Sequence, residues 1–71
     1  MNEKSILQRI TVNPDIFGGK PIIRGSRLAV EHVLAILAAG ETVETILEGC
    51  PWLEHEDIQA CLLYARKGHR S

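Results

Sequence analysis

"PIIRGSRLAVEHVLAILAAG", Pro21 to Gly40, changes from strand-like to helical patterning within twenty residues. Two short apolar pieces, 22–23 and 28–30, flank the sequence Arg24-Gly25-Ser26-Arg27. Glycine adopts positive φ without steric cost, so this segment predicts a tight hairpin turn centred on Gly25. On a strand through this region, Lys20, Ile22 and Arg24 would share one face and Ile23 would point the other way.

The second half of the same stretch predicts a helix. Its apolar residues recur at i, i+3, i+4, i+7 and i+8, the spacing of one helical face, and they are Val30, Val33, Leu34, Leu37 and Ala38. Gly40 follows the last of them, where a helix-terminating glycine is expected.

The residues before this stretch predict one short strand. "RITVNP" alternates, with Ile10 and Val12 on one side, and Asn13-Pro14 ends it. Residues 1–8 show no periodicity and are expected to form a flexible N-terminus.

Two further helices are predicted after Gly40. Thr42 can cap a short helix whose apolar face is Val43, Ile46 and Leu47, and which stops at Gly49 and Pro51. A third helix, 54–67, has an apolar stripe of Ile58, Cys61, Leu62 and Ala65 and ends at Gly68. We therefore expect a mainly α fold: a three-helix, helix-turn-helix-like (homeodomain-like) bundle with a short N-terminal β-hairpin. It would form one domain over residues 9–68, with 69–71 as a tail.

Composition narrows the possible functions. The chain has 71 residues and a net charge of −1, but residues 1–30 hold five basic and two acidic residues, whereas 31–71 hold three basic and seven acidic. Two cysteines are too few for a disulfide framework, and the chain shows no signal peptide and no apolar run long enough to span a bilayer. We expect a cytoplasmic protein with free thiols. A core this small would benefit from self-association, which favours a homodimer.

Lys20, Arg24 and Arg27 are the candidate binding residues, because they sit among glycines in the basic half of the chain. They could bind phosphates or a partner's carboxylates, since an arginine fork bonds two oxygens at once. The alternative is a polar hairpin with solvated charges. A phosphate-binding loop is excluded because its glycine and lysine spacing is absent.

The third helix is a poor candidate for reading bases. Its N-terminal residues are Glu54, His55, Glu56 and Asp57, and these carboxylates would repel phosphates. Acids at the start of a helix and bases at its end are explained equally well by the helix dipole. Ile36, Trp52 and Leu63 lie off the apolar stripes and are candidates for a dimer or partner interface, although single exposed apolar residues are ordinary.

Metal and catalytic sites are not predicted. Cys50, His55, Cys61 and His69 match no zinc spacing, and no nucleophile has an evident base. We expect no enzyme activity, no cofactor and no metal.

The run from Arg9 to Ala65 resembles the small bacterial family known as domain of unknown function 433. The most specific match is G-x-P-x-I-x-G-[ST]-R, here "GKPIIRGSR", in which Gly19, Pro21, Gly25, Ser26 and Arg27 are the matching residues. The resemblance implies a helix-turn-helix-like fold with a short β element, in which those residues form turn and scaffold and Arg27 is also a contact. Two departures are Ala29, where the family often has proline, and Glu54, where a capping threonine is usual.

The same resemblance implies a function. Members are similar to VapB-type antitoxins paired with a PIN-like ribonuclease toxin, so the chain is expected to neutralise such a toxin and to repress its own operon. The alternatives are a dimeric DNA-binding transcriptional regulator without a toxin partner, and a structural dimer with no nucleic-acid role.

Overall fold

The computed structural model describes residues 2–68, and these form four helices and one two-stranded antiparallel hairpin. In chain order the elements are α1 (Glu3–Leu7), β1 (Ile10–Val12), a 3-10 turn (Phe17–Gly19), β2 (Pro21–Ile23), α2 (Val30–Ala38), α3 (Val43–Gly49) and α4 (His55–Gly68). The prediction of a mainly helical chain with a short hairpin is confirmed at this level. The tail expected at 69–71 lies outside the described residues.

The hairpin pairs β1 with β2, with Ile10 opposite Ile23, Thr11 opposite Ile22 and Val12 opposite Pro21. The tight turn at Gly25 is present, but it joins β2 to the start of α2. Only one bridge, Ile22 to Ala29, remains of the hairpin expected around that turn, because Ala29 is already the N-cap residue of α2.

Ile22 and Ile23 point to opposite faces of the strand, as predicted, and both are buried, at 3% and 2% exposure. Ile23 joins the main core, whereas Ile22 shares the opposite face of the hairpin with Thr11. Both faces of β2 are therefore covered at these two residues.

Local signals set the helix ends. Gly40 has a φ of 98° and its N–H bonds the carbonyl of Leu37 at 3.0 Å, which ends α2 as predicted. Thr42 Oγ1 accepts the N–H of Thr45 at 3.1 Å, which confirms the predicted cap of α3.

The first turn of α4 is capped by a side chain that belongs to the helix itself. Glu54 is not needed as a side-chain cap, because the Asp57 carboxylate accepts the backbone N–H of Glu54 at 3.0 Å. This is the reciprocal half of a capping box.

The core lies between the hairpin and the last three helices, and consists of Ile23, Val30, Val33, Ile46, Leu53, Ile58 and Cys61. The predicted stripe of α4 needs one correction: Leu62 is 48% exposed, whereas Ala60 is fully buried. The buried face is turned toward Asp57 and Ala60 because α4 contacts α1 and β1 as well as α2 and α3.

The N-terminus also differs from expectation. Within the segment 1–8, expected to be flexible, α1 packs against α4 with Ile6 buried. Asn2 caps it by accepting the N–H of Ser5 at 2.8 Å. A five-residue helix is too short to show periodicity, which is why the sequence did not predict it.

Candidate functional site

The turn after β2 is closed by hydrogen bonds and exposes two arginines. Gly25 has a φ of 76°, a conformation that glycine adopts readily. Ser26 fixes the turn: its Oγ donates to the carbonyl of Ile23 at 2.7 Å and accepts the N–H of Leu28 at 3.1 Å. Arg24 and Arg27 flank this pair and are both exposed. The turn and scaffold role expected for Gly25 and Ser26 therefore has a structural basis.

The three basic candidate residues differ in whether they form an ion pair within the fold. Lys20 Nζ lies 2.9 Å from a carboxylate oxygen of Glu31, so its charge is already matched. Arg24 and Arg27 make no ion pair with any residue between 2 and 68. The two arginines are therefore the better candidates for an external anion.

A groove of about 570 Å³ lies beside the turn. Its lining comes from β1, β2, the connection between them, the turn and the α3–α4 connection, and comprises Thr11, Asn13, Ile16, Ile22, Gly25, Ser26, Arg27 and Trp52. Arg27 is its single charged residue, and Trp52 is 52% exposed. The sequence singled out Arg27 and Trp52 as separate features, and the fold brings them to one surface.

Arg27 also borders a second cleft, of about 520 Å³, on the other side of the turn. Phe17 lines this cleft and was missed by sequence reasoning; it is 52% exposed and has a φ of 52°. A left-handed conformation costs a non-glycine residue roughly 1–3 kcal/mol. The signal in the sequence was the unusual Phe-Gly-Gly run, whose three residues all have positive φ.

Of the three interface candidates, Trp52 is the most exposed. Ile36 is half-buried and packs against the core, so it is not a free surface residue. The buried face of α2 is wider than the predicted apolar face, because it also includes Ile36, which lies one turn after the fully buried Val33. Leu63 is half-buried as well and lines a cleft with Ile6 of α1, a helix that the sequence did not predict.

Arg9 is a second residue that the sequence did not single out. Its Nη1 lies 2.6 Å from Glu54 Oε1 and 3.1 Å from Asp57 Oδ1. The hydrogen bonds that Arg9 donates to Glu54 and, with a smaller effect, to Asp57 raise the pKa of its guanidinium, so Arg9 stays charged. Asp57 is 6% exposed and is therefore a scaffold residue rather than part of a surface that repels phosphates.

Cys61 is the most protected thiol of the described chain. Its side chain is fully buried, and burial, with a smaller contribution from the charge of Asp57, raises the pKa of Cys61 to about 12. A protonated, inaccessible thiol behaves as a small apolar residue.

Over residues 2–68, the fold brings together no group of three His, Cys, Asp or Glu side chains able to hold a metal ion. His69, which the sequence analysis considered as a ligand, is outside this range. None of the described helices combines the length and the apolar character that crossing a bilayer requires.

Comparison with known proteins identifies the relatives of the chain. Residues 10–65 match the model of the family described as "Protein of unknown function (DUF433)". An uncharacterized protein of Sinorhizobium fredii, y4eO, is 46% identical over 56 residues, which is 79% of this chain and 25% of that protein. The chain thus spans about a quarter of the length of this relative.

No solved structure matches the chain. The family match covers most of the sequence, including β1, the arginine turn and nearly all of α4. The chain belongs to the DUF433 family.

Proposed function

We propose that the chain is the antitoxin-like member of a type II toxin–antitoxin pair, which acts in the cytoplasm by binding and silencing a PIN-like ribonuclease toxin. The observation that supports this best is the pair of exposed arginines, Arg24 and Arg27, held on a turn that Ser26 fixes and without ion-pair partners in residues 2–68. Two exposed guanidinium groups on such a turn are suited to binding an anionic partner rather than to catalysis.

The target chemistry follows from the arginine side chain. A nuclease of this type holds divalent metal with clustered carboxylates, which form a concentrated negative site. A guanidinium bonds a carboxylate through two parallel N–H groups, and it would compete there with metal or with RNA phosphate. Because the turn is fixed before binding, less side-chain and loop entropy is lost on association.

Trp52 supplies a second contact in the same proposal. Tryptophan and arginine are the residues most enriched among energetically dominant interface positions. Trp52 and Arg27 line one groove, and Arg27 is its single charge. A protein partner with an acidic and an apolar group at matching spacing would use both.

The test is co-expression with the product of the adjacent gene, followed by copurification and a ribonuclease assay. We expect Arg24→Glu with Arg27→Glu to abolish both complex formation and inhibition, because the turn would then repel carboxylates. Lys4→Glu with Lys67→Glu is the control of equal charge change, since both lysines are exposed and lie on α1 and α4, outside the turn. If the arginine double variant still binds and inhibits, the turn is not the toxin-binding element.

A second function, a dimeric DNA-binding regulator that represses its own operon with or without a toxin, is favoured by a different observation. The seven-residue helix α3 and the fourteen-residue helix α4 follow α2 and are joined by a five-residue connection, an arrangement similar to a homeodomain-like helix-turn-helix. Arg9 also neutralises two of the acids at the start of α4. This removes much of the electrostatic objection to DNA.

Fluorescence anisotropy on promoter DNA distinguishes the two functions. A DNA-binding regulator loses affinity steeply as salt rises, because neutralised phosphates release counterions. A binding constant that is flat in salt, or equal for promoter and random DNA, argues against operator binding. Neither outcome affects the toxin test.

A further inference from the structure

The outer edge of β1 is an unpaired strand edge. The N–H of Ile23 donates to Leu28 at 3.0 Å, away from β1, and the N–H of Arg24 donates to Arg9 at 2.7 Å. Antiparallel ladders alternate hydrogen-bonded and non-hydrogen-bonded pairs, so Thr11 and Ile22 are the pair that exchanges bonds. The backbone N–H and C=O groups of Ile10 and Val12 therefore point to the other side of the strand.

Those outward groups have no partner within the part of the chain that the structure describes. The opposite edge of the sheet, along β2, is already occupied by residues 28–29. Natural edge strands are usually protected by short length, charge, proline or a bulge. β1 is short, with three residues, but no charge, proline or bulge occurs within it. All three of its residues are β-branched, which favours further strand pairing.

We propose that β1 pairs with β1 of a second copy of this chain, antiparallel about a two-fold axis through Thr11. In this register Ile10 lies opposite Val12 of the second copy, and Thr11 lies opposite Thr11. The outward groups of Ile10 and Val12 then form four backbone hydrogen bonds, and the two hairpins become one four-stranded sheet.

The side chains favour a second copy as the occupant. Val12 is 60% exposed, the most exposed of the large apolar residues over 2–68, and this register covers it with the half-buried Ile10 of the other copy. No like charges meet: Arg9 lies opposite Asn13, and its guanidinium is already bonded to Glu54 and Asp57.

The dimer would leave the arginine turn free and would join the two grooves. Thr11 lines the groove that contains Arg27 and Trp52. With Thr11 on the two-fold axis, both grooves lie side by side on one face of the four-stranded sheet. Because three residues per strand bury less area than a standard stable interface, we expect a dimer that dissociates on dilution.

Sedimentation equilibrium of the purified chain is the first measurement. Val12→Pro removes the outward N–H of residue 12 from each copy, and it leaves every hydrogen bond between β1 and β2 in place. Proline also restricts the preceding residue, Thr11, to extended backbone, which the strand already has. We expect it to raise the dimer dissociation constant about 30-fold, which corresponds to two lost hydrogen bonds of ordinary strength. Val12→Thr keeps the donor and the β-branch and serves as the matched control.

A disulfide provides an independent readout should Val12→Pro fail to fold. In a Cys50→Ser background, Thr11→Cys places two thiols at a non-hydrogen-bonded pair about 4.5 Å apart at Cα, within disulfide range. Gln8→Cys, also exposed, would lie about 20 Å from its symmetry mate. We expect oxidation to link the Thr11→Cys variant and not the Gln8→Cys variant. A wild-type chain that is monomeric at every soluble concentration, or two cysteine variants that link equally, would overturn the proposal.

Discussion

At the scale of single residues, backbone conformation distinguishes two glycines that the sequence cannot tell apart. Gly25 has a φ of 76°, whereas Gly49 lies at the end of α3 without positive φ, and a Cβ atom at either would meet nothing within 4 Å. Any effect of alanine at these positions therefore comes from the backbone and not from a clash.

Gly25→Ala is expected to lower the free energy of unfolding by about 1–2 kcal/mol, the cost of a left-handed conformation with a Cβ. Gly49→Ala is expected to raise it by up to about 1 kcal/mol, since alanine restricts the unfolded chain and favours helix. Urea unfolding of both variants checks this pair. Changes of the same sign would show that the φ at Gly25 is not the deciding factor.

Cys61 gives a pH dependence at the same scale. Its pKa is about 12 in the folded chain, against 9.0 for an ordinary thiol. Below about pH 9 the thiol is protonated in both states, and its contribution to stability is fully present. As pH rises from about 9 to 12, only the unfolded chain loses the proton, so this contribution falls by at most about 1.4 kcal/mol per pH unit.

Unfolding measured at about pH 8 and about pH 10.5 tests this sign. Cys61→Ala is less stable at both pH values because it leaves a cavity, but it should lose less stability between them than the wild type. An equal loss in both proteins would assign the alkaline destabilisation to other groups.

At the scale of elements, α3 depends on its N-terminal cap as well as on its packing against the core. It has seven residues, and Ile46 is its single buried one. Isolated helices of this length are unstable in water, so the Thr42 hydroxyl, which satisfies the N–H of Thr45, matters more than it would in a long helix.

Thr42→Ala should cost about 1 kcal/mol of stability, the usual value of a lost threonine cap. Thr45→Ala is the control: it keeps the cap acceptor, removes a solvent-exposed hydroxyl and slightly favours helix, so it should change stability by less than about 0.5 kcal/mol. Thermal unfolding of the two variants compares them directly. A larger loss in Thr45→Ala would indicate that the contact between the two hydroxyls, at 3.0 Å, is the important one.

The elements that sequence predicted are those fixed by neighbouring residues. The alternation of β1, the periodicity of α2, the Thr42 cap and the Gly40 terminus all depend on contacts within a few positions, and all are present. Helix α1 was missed because five residues have no detectable period, and its stability comes from contact with α4, some 50 residues away.

At the scale of the whole molecule, the fold cancels part of the charge asymmetry of the sequence and leaves Arg24 and Arg27 without ion pairs in residues 2–68. The basic first half pairs with the acidic second half: Arg9 with Glu54 and Asp57, and Lys20 with Glu31. Partners separated by up to 48 residues cannot be read from local sequence. The same limit applies to the groove, because Thr11, Arg27 and Trp52 come from three separate segments.

The ion pair between Glu3 and Arg66, at 2.9 Å, has an architectural consequence. Together with the burial of Ile6 against α4, it marks the place where the first helix lies beside the last, so residues 3 and 66 are neighbours on the surface. Domains whose two ends lie close together tolerate insertion into a loop of a larger protein, and they also tolerate circular permutation. A fold of this kind can be reused as a unit within longer proteins, which suits a family in which a relative about three times as long contains a matching segment.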